Sequence, residues 1–339
     1  MQRPGRRLSR WIGLLVLVGS ASGCVGRATL PASLGDDGFW QLSAALSEPA
    51  GAFAHSENLV SNELHVVNLA RVLRPWGGVY IGVGPEQNFS YIAALRPSIA
   101  FIVDIRRENR NLHLVYKALF EASADRAEFL SRLFSRDRPA GLGASSSPAA
   151  LFTAFDKAAP SATLLGSTRA LVRERLLNVH QFPLTAEDVI HIDYVLQAFF
   201  EDGPAITYSR SNPADEPRPT YGTLMTQRDI DGRSRSYLAS EDAFAAVKAL
   251  QARNLIVPVI GDFAGPTSIR GIGEYVRERR GTVSVFYGSN VEVYLHQQKT
   301  LAYCANMATL PYTATTWFID SRNIKRFPAK LKACPRAAQ

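Results

Sequence analysis

One stretch constrains the fold more than any other. Gly78-Val79-Tyr80-Ile81 is a short apolar run that runs straight into Gly82-Val83-Gly84-Pro85. Such a run, rich in β-branched and aromatic residues, reads as a strand buried on both faces. Pro85 suits a first helical position and Glu86 the positive end of a helix, so a helix follows through Tyr91 and Leu95 until Pro97 breaks it. Ile99–Val103 is a second buried strand, ending on Asp104. Strand, glycine turn, helix, strand and acid make a βαβ unit. Such units build parallel sheets with right-handed crossovers.

The pattern continues downstream. Helices are predicted from about Asn109 to Glu121 and from Asp125 to Phe134. Residues 137–165 are rich in Pro, Gly, Ala and Ser and read as loop or insertion. Helices are expected over Thr168–Leu177 and from Thr185 to Phe200. Residues 203–222 read as a long loop. Ser240-Glu241-Asp242 opens a helix to about Ala252. Leu255–Ile260 reads as a strand whose Pro258 argues for a sheet edge or an early break. A helix to about Arg280 follows, then a strand at Val283–Tyr287, and a final strand at Thr315–Ile319. Ahead of all this, residues 41–75 carry Leu42, Leu46, Leu64, Val67, Leu69, Val72 and Leu73 at roughly helical spacing. The fold class is therefore α/β: a Rossmann-like, mostly parallel sheet with flanking helices and a helical N-terminal extension. Residues 41–330 form one domain, with an insertion at about 137–235.

The first residues read as an export signal. Arg3, Arg6, Arg7 and Arg10 precede the nine apolar residues Trp11–Gly19. Nine residues are too few to span a bilayer but suit a signal-peptide core. Ala21-Ser22-Gly23-Cys24 resembles a lipobox, so residues 1–23 are expected to be removed. Cys24 would then carry a lipid, and residues 24–40 would tether the domain to a membrane in the periplasm or outer membrane. Plain secretion and a short buried or surface helix are the alternatives. Removing those four arginines from the net charge of +8 leaves about +4, too little for a nucleic-acid surface. Cys304 and Cys334 can pair in an oxidising compartment, or stand as unrelated thiols. No CxxC or HExxH is present, so no metal site is expected. His191-Ile192-Asp193 reads as structural, and Arg106, Arg107 and Arg110 as a solvated helix face.

The chemistry converges on the strand ends. Gly82 and Gly84 let the backbone turn sharply and let a ligand approach the main chain. Position 87 is Gln, so the dinucleotide fingerprint GxGxxG is incomplete. Asp104 stands 20 residues after Gly84, where a carboxylate can accept from ribose hydroxyls. A nucleoside-type ligand suits that pair better than a dinucleotide does, and S-adenosylmethionine is such a ligand. Asp262, Ser289, Asn290 and Glu292 follow later strands and would join Asp104 in a cleft at the carboxyl ends; ordinary turn chemistry also uses these residue types. The polar run Ser56, Glu57, Asn58, Ser61, Asn62 and Glu63 reads as a lid or as a capping run.

The segments GVGPEQNFSYIAALRPSIAFIVD, HSENLVSNE, NLIVPVIGDFAGP and FYGSNVEVYL resemble a bacterial, leptospiral-type protein family with a class I S-adenosylmethionine-dependent methyltransferase-like fold. The resemblance spans most of residues 50–300. It implies that Gly82 and Gly84 form the glycine turn, that Asp104 is the ribose-binding acid and that Asp262 is the polar residue after a later strand. The chain departs from that pattern in two places. Tyr80 and Ile81 stand where an acid usually precedes the turn, and Glu86 stands in the third-glycine place. Expected roles are thus cofactor contact for Gly82, Gly84, Glu86, Asp104, Ser289 and Asn290, and catalysis for Asp262 and Glu292. The other expectations are a cofactor-free envelope binding protein, or a carboxylate- or metal-dependent hydrolase on the same fold.

Overall fold

The computed structural model describes residue 1 and residues 29–53, 57–210 and 218–335. The signal segment, Cys24 and Ser56 lie outside the described residues. Along the chain run α1 (Asp36–Leu46), α2 (Val66–Ala70), β1 (Val79–Gly82), α3 (Gln87–Leu95), β2 (Ile99–Asp104), α4 (Arg107–Ala122) and α5 (Arg126–Phe134). Then come α6 (Pro148–Lys157), α7 (Ala162–Arg173), α8 (Ala186–Asp202), α9 (Tyr221–Thr226) and α10 (Glu241–Ala252). The last part holds β3 (Ile256–Ile260), α11 (Ser268–Glu278), β4 (Val283–Ser289), α12 (Gln297–Ala308), β5 (Tyr312–Asp320), β6 (Ile324–Arg326) and α13 (Phe327–Lys332).

The strands form one sheet in the order β3-β2-β1-β4-β5-β6. β1 to β5 pair in parallel, and β6 returns antiparallel to β5. The chain moves outward from β1 through β2 to β3, then crosses back to lay β4 and β5 on the other flank of β1. β1, β2 and β3 are buried along their whole length, because helices cover both faces. This is why they stood out as unbroken apolar runs. Pro258 lies in β3, at the sheet edge as its missing N–H requires.

Several expectations needed correction. No single helical stretch covers 41–75. α1 begins at Asp36, inside the expected tether, and the chain then runs mostly extended to the short α2. Phe39 explains the early start: it is buried and stacks on Phe182, and Asp36 and Asp37 suit the first turn. α1 lies along β3. The Ser43 hydroxyl donates to the Pro258 carbonyl at 2.5 Å, Ile260 N–H donates to Ser47 Oγ at 3.0 Å, and Glu48 N–H donates to the Ile260 carbonyl at 2.7 Å. The stretch expected as loop at 137–165 holds α6 and the start of α7. Ser147 and Ser161 cap these helices, each accepting from a backbone N–H three residues on, and Pro148 occupies the first turn of α6. α8 starts with a capping box of Thr185 and Asp188. The strand at Thr315–Ile319 is not the last, since β6 follows it. Cys304 and Cys334 are bonded, tying α12 to the residue pair after α13.

Arg106, Arg107 and Arg110 do not form a solvated face. Arg106 is buried against Asp104. Arg107 and Arg110 converge on the buried Asp188 carboxylate, with Arg107 Nε and Nη2 each at 2.7 Å, Arg110 Nη2 at 3.0 Å and Asn111 Nδ2 at 2.9 Å. This cluster clamps α8 onto the start of α4. Burial alone would raise the Asp188 carboxyl, but these donors hold it far below the usual carboxylate range.

Candidate functional site

A cleft of about 270 Å³ opens at the carboxyl ends of the parallel strands. The loops after β1, β2, β3 and β4 all contribute to it, through Gly84, Asp104, Asp262 and Ser289. Its fifth wall is the polar run before α2: Asn58, Ser61, Asn62 and Glu63 line it. The cleft lies where the strand order reverses about β1. In open α/β sheets that is the place where loops diverge and leave a crevice.

The turn after β1 is shaped from below. Gly84 has φ +79°, a conformation that favours glycine. Its carbonyl lies 2.9 Å from Nε2 of the buried His113 on α4. Burial pushes the His113 imidazole down to about 4, so it is neutral and donates to that carbonyl. Gly82 has no room for a side chain: a Cβ there would stand 2.0 Å from Asn88 Oδ1. Glu86 does not line the cleft, contrary to its expected cofactor contact. It turns into the core, fully buried, and both carboxyl oxygens lie 3.1 Å from Ser61 N–H. Burial raises its pKa to about 7, with the neighbouring Glu63 adding to the rise. Because Glu86 points inward, the missing third glycine leaves the cleft side of the turn open.

The acid after β2 is committed to a local partner. Asp104 Oδ1 accepts from Arg106 N–H at 2.9 Å and from Arg106 Nε at 3.0 Å, while Oδ2 accepts from Arg106 Nη2 at 3.1 Å. Arg106 Nη1 in turn donates to the Glu57 carbonyl at 2.6 Å, which fastens the polar wall to the end of β2. Asp262, after β3, accepts from Lys299 Nζ at 2.7 Å and from Ala264 N–H at 2.8 Å. Its loop is held by Glu48, whose Oε1 accepts from the N–H groups of Thr267 and Ser268 at 2.8 Å.

After β4, Ser289 adopts φ +48°, an uncommon conformation for a non-glycine residue, and its hydroxyl donates to Glu63 Oε1. Asn290 stands exposed at the rim. Glu292 is not in the cleft. It sits on a short 3₁₀ turn and pairs with Lys330 of α13, so its expected catalytic role has no geometric support. Of the residues expected to converge, Asp104, Asp262, Ser289 and Asn290 do so, together with Gly84. Sequence reasoning missed Glu63 and Gln87 as wall residues. For Glu63 the sequence offers only a lid or capping run as a whole, and for Gln87 only a missing glycine.

Among the described residues, no helix is long and apolar enough to cross a membrane. The geometry defines an α/β domain with a ligand-sized cleft at the reversal point of a parallel sheet. The chain belongs to a family described as a domain of unknown function, DUF7790, which it matches over residues 58–144 and 214–334. The interval between the two matched stretches holds α6, α7 and α8, and the matched residues carry the whole sheet and most of the cleft lining. No curated protein matches the chain.

Proposed function

We propose that this is a Rossmann-like, methyltransferase-like domain that binds a nucleoside-type small molecule across the ends of β1 to β4, with S-adenosylmethionine the first candidate. The observation that carries this is the position of the cleft, lined by the loops after four successive parallel strands on both sides of the order reversal. The order 3-2-1-4-5 is that of doubly wound nucleotide-binding sheets.

The residues present fit such a ligand in part. A carboxylate has about four acceptor sites. Arg106 takes three on Asp104, which leaves one on Oδ2 for a ribose hydroxyl. Among the described residues, the two cations that line the cleft are paired, Arg106 with Asp104 and Lys299 with Asp262, so a phosphate would find no unpaired cation among them. This favours a nucleoside over a dinucleotide. It also suits the positive charge of S-adenosylmethionine, which as a cofactor would supply a transferable methyl group. A carboxylate- or metal-dependent hydrolase has less support. Glu292 lies outside the cleft, and among the described residues no three His, Cys, Asp or Glu side chains are grouped to hold a metal. Export and a lipid at Cys24 remain part of the proposal on residues 1–24. Radiolabelled palmitate that enters the wild type and not Cys24→Ala would support them.

The direct test is a thermal-shift titration of the protein with S-adenosylmethionine and S-adenosylhomocysteine. At 100 times the dissociation constant, binding adds about 2.7 kcal/mol and raises the midpoint by a few degrees. Asn290→Trp at the rim should abolish the shift without moving the unliganded midpoint. No shift at millimolar ligand would overturn the assignment.

A further inference from the structure

The two ends of the cleft differ in charge balance. At the β2–β3 end each carboxylate has its cation. At the β1–β4 end Glu63 is only 8% exposed, its Oε1 takes the Ser289 hydroxyl, the Tyr287 hydroxyl lies close to its carboxyl, and its Oε2 has no hydrogen bond of good geometry. Gln87 is 5% exposed; its Nε2 donates to the Val83 carbonyl at 3.2 Å and to the Tyr287 hydroxyl at 3.1 Å, and its Oε1 has no partner. Both residues line the cleft, and both also line a second cavity of about 10 Å³ behind it, room for one water at most. Approach from behind is closed, so a ligand would come from the cleft side, where neighbouring side chains must give way to uncover the two oxygens. Buried polar atoms are nearly always paired, so two acceptors left open in one wall call for donors.

We infer that this end of the cleft is an ammonium subsite, in which a protonated amine on the bound molecule donates to Glu63 Oε2 and Gln87 Oε1 with Glu63 as its counter-ion. Three observations agree. An ammonium group has three donors and no acceptor, the complement of this wall. Among the described residues no cation pairs with Glu63, and the second buried carboxyl, Glu86, lies behind it. Burial raises the Glu63 carboxyl, and a bound cation would restore its charge. The placement also suits a nucleoside. β2 and β4 flank β1, so the ends of β2 and β4 lie roughly 10 Å apart across the sheet. A ribose held at Asp104 would send its 5′ substituent over the Gly84 turn toward Glu63. For the rest of the ligand, the assignment rests on the nucleoside-type function proposed above.

The test compares adenosine with 5′-amino-5′-deoxyadenosine by calorimetry on the full chain, in wild type and in Glu63→Gln. The amine should bind at least tenfold more tightly, about 1.4 kcal/mol. Glu63→Gln should reduce that preference to about twofold. Equal affinity for the two nucleosides, or a preference that survives Glu63→Gln, would overturn the subsite. A second arm needs no nucleoside: 1,3-diaminopropane is titrated into protein carrying ¹³C-labelled glutamate carboxyls. The Glu63 resonance should shift and its titration midpoint fall, with neither change in Glu63→Gln. If the diamine moves Glu63 but neither nucleoside binds, the nucleoside proposal fails and the ammonium subsite stands. If nucleosides bind without preference and the diamine leaves Glu63 unmoved, the reverse holds. If nothing binds and nothing moves, both fail.

Discussion

Glu86→Gln should change the sign of its effect on stability between pH 5 and pH 8. The Glu86 carboxyl is fully buried with only backbone N–H groups as partners, and burial lifts it from an ordinary 4.5 to about 7. A carboxyl raised on folding binds its proton more tightly in the native state. Its contribution is fully present below pH 4.5 and is lost as the pH rises through 7. The loss amounts to about 3 kcal/mol. Glutamine has nearly the same shape and no charge to desolvate. It gives up one of the two contacts to Ser61 N–H and buries an NH₂ short of an acceptor, a cost of about 1–2 kcal/mol. At pH 5 the variant should therefore be less stable than the wild type by about 1–2 kcal/mol. At pH 8 it should be more stable by a similar amount. Urea unfolding of both proteins at half-unit steps from pH 5 to 8 measures this, and the quantity to plot is the difference between them. A difference that stays flat across the range would show that Glu86 is ionised throughout, and the account of its burial would be wrong.

Three further outcomes are expected. Asp188→Ala should destabilise the protein by about 3 kcal/mol, because Arg107 and Arg110 lose their shared counter-ion, and α8 should then show faster amide exchange than α3. Replacing Cys304 and Cys334 together by serine opens a loop with a sequence separation of 30 and should cost about 3–4 kcal/mol, and reductant should affect the wild type alone. His113→Leu removes one of the two donors to the Gly84 carbonyl and leaves Asn88 Nδ2 in place; it should cost about 0.5–1.5 kcal/mol by chemical denaturation and weaken any ligand that raises the wild-type melting temperature.

Much of the sheet was legible because a parallel strand buried on both faces leaves a continuous apolar run, and four such runs ended at a glycine, an acid or a polar turn. The same logic located Asp104, Asp262, Ser289 and Asn290, since residues at strand ends must meet in the crevice. Side-chain direction was less legible. Whether Glu86 points into the cleft or into the core depends on the turn that Gly84 makes, and whether Arg106 is solvated depends on Asp104 two residues earlier. Glu292 misled for a similar reason: one short 3₁₀ turn carries it to Lys330. The helices between 148 and 173 were hidden by composition. Their alanines, glycines and prolines look like linker, yet Ser147 and Ser161 supply the caps that start them. Glu63 carries one signal of its own, an acid beside apolar Leu64 with no Lys or Arg within five positions.

α1 does more than extend the domain. Its Ser43 hydroxyl and, just past its end, Ser47 Oγ and the Glu48 N–H occupy the free side of β3, where Pro258 already lacks a donor. At the far flank the sheet closes on the three-residue β6. Neither border therefore offers a second molecule a long ladder on which to add its own backbone. A chain begun after Glu48 would strip one border bare and free the Asp262 loop in the same stroke. Such a truncation should form intermolecular β-structure at concentrations where the intact protein stays dispersed, so the residues just past the expected tether guard the protein against self-association.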